Sequence, residues 1–176
     1  MSGRVLIIDD ELGHVLLLEE YLTGTATEIR SVTDSRSAVE AFLEFQPDIV
    51  LLDLHMPYFD GREILRRLSS ERSRLGFVPV VVMTADHSKV ARQSALLLGA
   101  NDFLLKPLDR EDVILRVRNL LHTRRLFVEL AEAMEALRKT DGDDPPIGGG
   151  LLAAVLGFLG AHGCGQLIGN VAERFS

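Results

Sequence analysis

Short apolar runs rich in Val, Ile and Leu recur along the chain at Val5 to Ile8, Ile49 to Leu52, Val78 to Val82 and Phe103 to Leu105. Continuous runs of this length suit strands buried on both faces rather than the alternating pattern of a half-exposed sheet. Between them, apolar positions fall at helical spacing over about Leu12 to Leu22, Ser35 to Phe45, Gly61 to Leu68, Lys89 to Leu98 and a long stretch from Asp109. Glu28 to Val32 is a weaker strand candidate that completes five strand–helix alternations. This order predicts an α/β fold with a five-stranded parallel sheet, doubly wound, and an extended C-terminal helix. Right-handed crossovers then bring the C-terminal end of every strand to one edge, where ligands bind in open α/β sheets.

The last helical segment runs on without Gly or Pro from Arg110 to about Lys139, a rod of roughly 45 Å at the helical rise. Val113, Val117, Leu120, Phe127, Ala131 and Met134 follow 4-3 spacing, interrupted at Arg124, and Leu126, Leu130, Ala133 and Leu137 form a second stripe. Residues 124–140 are therefore expected to be a signalling or dimerisation helix, with homodimer pairing set against a solvated helix end. The breaker run at 141–150, Asp141 to Gly150, reads as a linker. Residues 151–176 form an apolar, Gly-rich tail to which the pattern assigns no role. Gly157, Gly160, Gly163 and Gly165, with His162 and Gln166, argue against a membrane span there. A docked hairpin, a disordered tail and the remnant of an altered output region all remain open readings of it.

At 176 residues, 47% of them apolar, the chain suits one full core with a small appendage. A formal net charge of -7 weighs against a broad electrostatic grip on nucleic acid, and no nucleic-acid partner is predicted, although a local basic patch stays possible. Arg116, Arg118, Arg124 and Arg125 are such a cluster, most simply a solvated face. The single cysteine, Cys164, allows no internal disulfide, and Met1-Ser2-Gly3-Arg4 lacks a signal-peptide layout. Both point to a cytoplasmic setting.

The chemistry is carried by residues at the strand ends. Asp9 and Asp10 follow the first strand, and Asp53, Thr84 and Lys106 end the third, fourth and fifth. A parallel sheet collects these three carboxylates, one hydroxyl and one ammonium in a single pocket. Two unit charges about 4 Å apart cost about 4 kcal/mol at an effective dielectric near 20, so a cation is expected among them. Mg²⁺ suits an all-oxygen site of this kind, held by Asp9, Asp10 and Asp53 directly or through water. Asp53, on the central strand, is the candidate nucleophile toward phosphorus. Lys106 would neutralise the transferring oxygens and Thr84 would hydrogen-bond one of them. The plainer alternatives are a strand-end hydroxyl satisfying backbone at Thr84 and a solvated lysine at Lys106. Gly61 is expected to supply a backbone conformation costly for other residues. Alternation turns the Phe103 ring away from the buried side that Leu104 fills.

Four ordered motifs carry a resemblance: Val5-Leu6-Ile7-Ile8-Asp9-Asp10-Glu11; Ile49-Val50-Leu51-Leu52-Asp53-Leu54-His55-Met56-Pro57 with Gly61; Val80-Val81-Val82-Met83-Thr84-Ala85; and Phe103-Leu104-Leu105-Lys106-Pro107. Over residues 3–123 the chain resembles the response-regulator receiver family of two-component phosphorelay signalling. The resemblance implies the flavodoxin-like receiver fold, Asp53 as phosphoacceptor, and Mg²⁺ on Asp9, Asp10, Asp53 and the main-chain carbonyl of His55. It also implies that Thr84 and Phe103 are coupled switch residues, that Lys106 contacts the phosphoryl group, and that the Lys106–Pro107 bond is cis. A histidine kinase or phosphotransfer protein is the implied partner.

Two alternatives belong to other classes. A Mg²⁺-dependent phosphohydrolase of the haloacid-dehalogenase type would carry a second Asp where this chain has His55, and would need a cap domain that no segment supplies. A scaffold or dimerisation protein would not need an intact pocket. Arg116 to Leu126 resembles the linker after receivers that feed cyclic-dinucleotide signalling domains, but no Gly-Gly-Asp/Glu-Glu-Phe signature, His-Asp metal motif or helix-turn-helix follows. No enzymatic or DNA-binding output is expected in this chain.

Overall fold

The computed structural model describes residues 3–140, apart from the side chains of residues 70, 73–75, 91 and 137–140. The expected linker at 141–150 and tail at 151–176 lie outside the described residues. The chain divides into two compact units, residues 1–126 and 127–176. The first unit carries the sheet and the pocket.

Strands β1 (Arg4–Ile8), β2 (Glu28–Val32), β3 (Ile49–Asp53), β4 (Val80–Thr84) and β5 (Asp102–Leu105) alternate with helices α1 (Leu12–Leu22), α2 (Ala38–Phe45), α3 (Gly61–Leu75), α4 (Lys89–Leu97) and α5 (Arg110–Thr140). All strand pairs are parallel, in the order β2-β1-β3-β4-β5. The doubly wound parallel sheet is therefore the one expected. Apolar continuity and burial agree on the three inner strands: β3 and β4 are buried throughout, and β1 from Val5 onward. The edge strands β2 and β5 are only partly covered; in β2, exposed or half-buried throughout, this accounts for the weaker strand signal of its sequence.

Pleat alternation divides the inner strands between two cores. Leu6, Ile8, Val50, Leu52, Val80 and Val82 pack with Phe42 of α2, Ile64, Leu65 and Leu68 of α3, and Ala95 of α4. Val5, Ile7, Ile49, Leu51, Val81, Met83 and Leu104 pack with Val15, Leu18 and Leu22 of α1 and Val113, Val117 and Leu121 of α5. Full burial of each such aliphatic side chain favours folding by about 1.5–3 kcal/mol before entropy is counted. Both cores grip the central strands, so the strand ends that bear the polar residues are held on a rigid base.

Two local departures have clear causes. Helix α3 extends past Leu68, where apolar spacing stops, to Leu75. The Arg72 guanidinium, on that polar extension, donates to the Gly99 carbonyl at 2.9 Å and to Asn101 Oδ1 at 2.8 Å, while Asn101 Oδ1 also accepts the Val80 N–H at 2.9 Å. The segment from Ser35 opens as a 3₁₀ turn, Ser35–Ser37, in which the Asp34 carboxylate accepts the Arg36 N–H; only from Ala38 does it become α-helix.

Candidate functional site

The sheet's register brings Asp9, Asp53, Thr84 and Lys106 to one edge, and the first three are almost completely buried. Asp9, Asp10 and Asp53 each offer a carboxylate oxygen such that the three atoms lie within 4.8 Å of one another. Asp9 and Asp53 sit inside, whereas Asp10 is exposed at the rim. An open cleft of about 450 Å³ above them is lined by Asp10, Glu11, His14, Asp53, His55, Ala85, Asp86 and Lys106.

Lys106 is not a solvated side chain. Its ammonium lies 3.0 Å from Asp9 Oδ2 and 3.1 Å from Asp53 Oδ2, and its main-chain N–H donates to the Thr84 carbonyl at 2.9 Å. The Lys106–Pro107 bond is cis, as the resemblance implies. Asp53 Oδ1 is buried with no hydrogen-bond partner. Burial raises the Asp53 carboxyl above its ordinary value, the Lys106 charge opposes that rise, and the Asp9 charge adds to it. The pocket thus holds more negative charge than its one lysine balances. An orphaned buried oxygen within an all-oxygen cluster fits a hard divalent cation.

Gly61 is required here for a different reason from the one expected. Its backbone is not in the left-handed region; that conformation falls on Tyr58, at φ 68°. A Cβ at Gly61 would instead collide with the carbonyl oxygen of Asp53 and lie 2.8 Å from Leu54 Cα. The glycine lets the loop return against the backbone that carries Asp53, a closure marked by the Gly61 N–H donating to the Leu54 carbonyl at 3.0 Å.

Thr84 Oγ accepts the Asp86 N–H at 3.0 Å, so in this state the hydroxyl oxygen serves the loop after β4. Phe103 is half-buried on the side of β5 away from Leu104, with the Arg92 guanidinium 4.0 Å and the Arg116 guanidinium 5.7 Å from its ring centre. Arg116 is held by Asp102 at 2.7 Å and Asp112 at 2.9 Å. Arg116 and Arg124 therefore do not form the solvated face expected for them: Arg124 is largely covered and faces Asp48 at 3.7 Å. His55 lines the cleft.

The sequence reading did not single out His14. It stands in the first turn of α1, with Nδ1 3.0 Å from Lys106 Nζ and 3.2 Å from Asp9 Oδ2. The available signal was positional: a helix beginning right after Glu11 places a residue four past Asp10 one turn up, beside the same edge.

A family profile described as the response regulator receiver domain matches residues 5–118. The chain belongs to the response regulator receiver family. The receiver is 36% identical over 132 residues to the response regulator PleD of Caulobacter vibrioides, an alignment covering 75% of this chain and 29% of PleD. It is 34% identical over 143 residues to the response regulator MprA of Mycobacterium ulcerans, covering 81% of this chain and 60% of MprA. The alignments thus span less than two thirds of either relative's length. Among solved structures, NtrX from Brucella abortus superposes with a TM-score of 0.68 at 27% identity, covering 80% of this chain and 34% of NtrX. The chemotaxis protein CheY4 of Vibrio cholerae superposes at 0.63 over 68% of this chain and 99% of CheY4; at 22% identity that likeness bears on the fold alone. This chain is accordingly a receiver domain of the two-component phosphoacceptor type. Among the described residues, no helix is long and apolar enough to cross a membrane.

Proposed function

We propose that Asp53 takes a phosphoryl group from the phosphohistidine of a histidine kinase or phosphotransfer protein, with Mg²⁺ held by Asp9, Asp10, Asp53 and the main-chain carbonyl of His55. The observation that carries this reading is Asp53 Oδ1, buried and without a hydrogen-bond partner inside the three-carboxylate cluster. One Asp53 oxygen attacks phosphorus, the phosphorus–nitrogen bond breaks, and the departing imidazole keeps the electron pair, leaving an acyl phosphate. Mg²⁺ bound there supplies charge neutralisation for the transferring oxygens. As the charge on Asp53 disappears into the new bond, the Lys106 ammonium, 3.1 Å away, passes that contact to a phosphoryl oxygen. The Thr84 hydroxyl hydrogen is then aimed at a second phosphoryl oxygen, drawing the side chain toward Asp53.

Phe103 is read as the coupled partner of that movement. Its ring leaves the Arg92 and Arg116 guanidiniums for space that Thr84 vacates, which remodels the surface formed by α4, β5 and α5. The chain acts by changing this surface, in the cytoplasm. The apolar spacing along residues 124–140 supports pairing with a second copy as one consequence.

Intact-mass analysis after incubation with Mg²⁺ and acetyl phosphate tests the proposal. One added phosphoryl group of about 80 Da, labile to hydroxylamine and absent from Asp53→Asn, is expected of an acyl phosphate. An adduct that persists in Asp53→Asn overturns the assignment.

A further inference from the structure

An ammonium group has three hydrogens to donate, and Lys106 Nζ has three partners within 3.1 Å. These are Asp9 Oδ2 at 3.0 Å, Asp53 Oδ2 at 3.1 Å and His14 Nδ1 at 3.0 Å. The third contact decides the state of the imidazole. An ammonium can only donate, so a hydrogen on Nδ1 would oppose an N–H hydrogen head-on at 3.0 Å. An Nδ1 that accepts from Lys106 presents its lone pair to the ammonium. Nδ1 also lies 3.2 Å and 3.4 Å from the two Asp9 oxygens and 3.4 Å from Glu11 Oε2, each longer than its distance to Lys106 Nζ.

We propose that His14 is a positioning residue for Lys106. It is the imidazole acceptor among two carboxylates, so it fixes the ammonium without adding to the pocket's negative charge. On the reading given above, formation of the acyl phosphate removes the Asp53 charge, and the ammonium redirects one of its hydrogen bonds from Asp53 to a phosphoryl oxygen. His14 and Asp9 keep the other two, so the lysine does not have to find its place again as charge moves onto the phosphoryl group. A preset donor of this kind lowers the reorganisation required in the transition state. The fold supports the assignment: α1 is anchored beside the pocket by Val15 and Leu18 in the core and by the Glu11 N–H donating to Asp9 Oδ1 at 2.9 Å.

The test uses the full chain, Mg²⁺ and acetyl phosphate, with four proteins: wild type, His14→Leu, His14→Ala and His14→Asn. Asn places an amide oxygen near the position of Nδ1, whereas Leu and Ala remove the acceptor. Phosphorylation is expected to slow roughly tenfold in Leu and Ala, the scale of one hydrogen bond to a charged group, and to recover in Asn. Nitrogen-15 NMR of the Lys106 ammonium, assigned with Lys106→Arg, gives a readout independent of the reaction. Its slowly exchanging signal is expected in wild type and Asn and lost in Leu and Ala. Where Leu fails to fold, Ala carries the comparison. Wild-type rate and an intact ammonium signal in Ala overturn the proposal, as does an Asn variant as slow as Ala. A wild type that takes up no phosphoryl group counts against the phosphoacceptor reading, while the ammonium signal still decides whether His14 holds Lys106.

Discussion

Strand β3 is bracketed by two carboxylates, Asp48 just before it and Asp53 as its last residue, and the two have opposite surroundings. At its start, Asp48 Oδ2 accepts the Arg4 N–H at 2.9 Å, its own N–H donates to the Arg4 carbonyl at 2.8 Å, and Arg124 Nε stands 3.7 Å from Oδ1. Burial lowers the affinity of the Arg124 guanidinium for its proton, and Asp48 works against that loss. At the other end, Asp53 shares its pocket with Asp9 and Asp10, and one of its oxygens is left orphaned. The residue type is the same, and the two stand at opposite ends of one strand. A carboxylate whose charge is matched ties the base of the domain together, whereas a cluster left short of positive charge is stored demand for a cation.

The comparison breaks most visibly by removing the matched end. Asp48→Ala deletes the acceptor for Arg4 and the carboxylate facing Arg124, and is expected to cost about 2 kcal/mol in urea unfolding. Phosphorylation of Asp53 should survive it under native conditions. Loss of phosphorylation in a folded Asp48→Ala protein would show that the two ends are not independent. The unmatched end responds to ions instead. Mg²⁺ at ten times its dissociation constant should stabilise the wild type by about 1.4 kcal/mol through binding the native state alone. Asp10→Ala should lose most of that gain in a thermal melt, and an equal gain in the variant would place the ion elsewhere.

How much of this was legible in the sequence follows from where each residue's reason lies. Asp9, Asp53, Thr84 and Lys106 could be placed because each ends a run buried enough to be read as a strand, and a parallel sheet makes strand ends neighbours. The edge strand β2 reads less clearly because it is only partly covered. The end of α3 was set too early, since apolar spacing stops at Leu68 while Arg72 continues the helix through contacts to Gly99 and Asn101. Gly61 was recognised as special but for the wrong cause, because a collision with the Asp53 carbonyl is a tertiary fact. His14 was invisible for a similar reason. Its significance depends on the angle at which α1 leaves the pocket, and no local pattern around Leu12 or Gly13 announces that.

The smallest effects sharpen the comparison through their sign with pH. Asp53 holds its proton more tightly folded than unfolded, so the native state binds more protons as this group titrates. Stability is therefore lost as pH rises from the ordinary carboxylate value through the raised one. Without metal, Asp53→Asn should unfold at higher urea than wild type near neutral pH, with the advantage shrinking below about pH 4. Asp34 supplies the opposite case. It is half-exposed, bonded to the Arg36 N–H and guanidinium at 2.7–3.0 Å, and lowered to about 2, chiefly by the Arg36 side chain. Its contribution is present above the ordinary carboxylate value and lost as pH falls toward 2, and solvent screening keeps it small. Asp34→Asn should therefore slightly lower stability at neutral pH, and its difference from wild type should vanish in acid. Urea midpoints at pH 7 and pH 3 distinguish the two. If both variants shift in the same direction at pH 7, matched and unmatched carboxylates do not differ in the way their surroundings require.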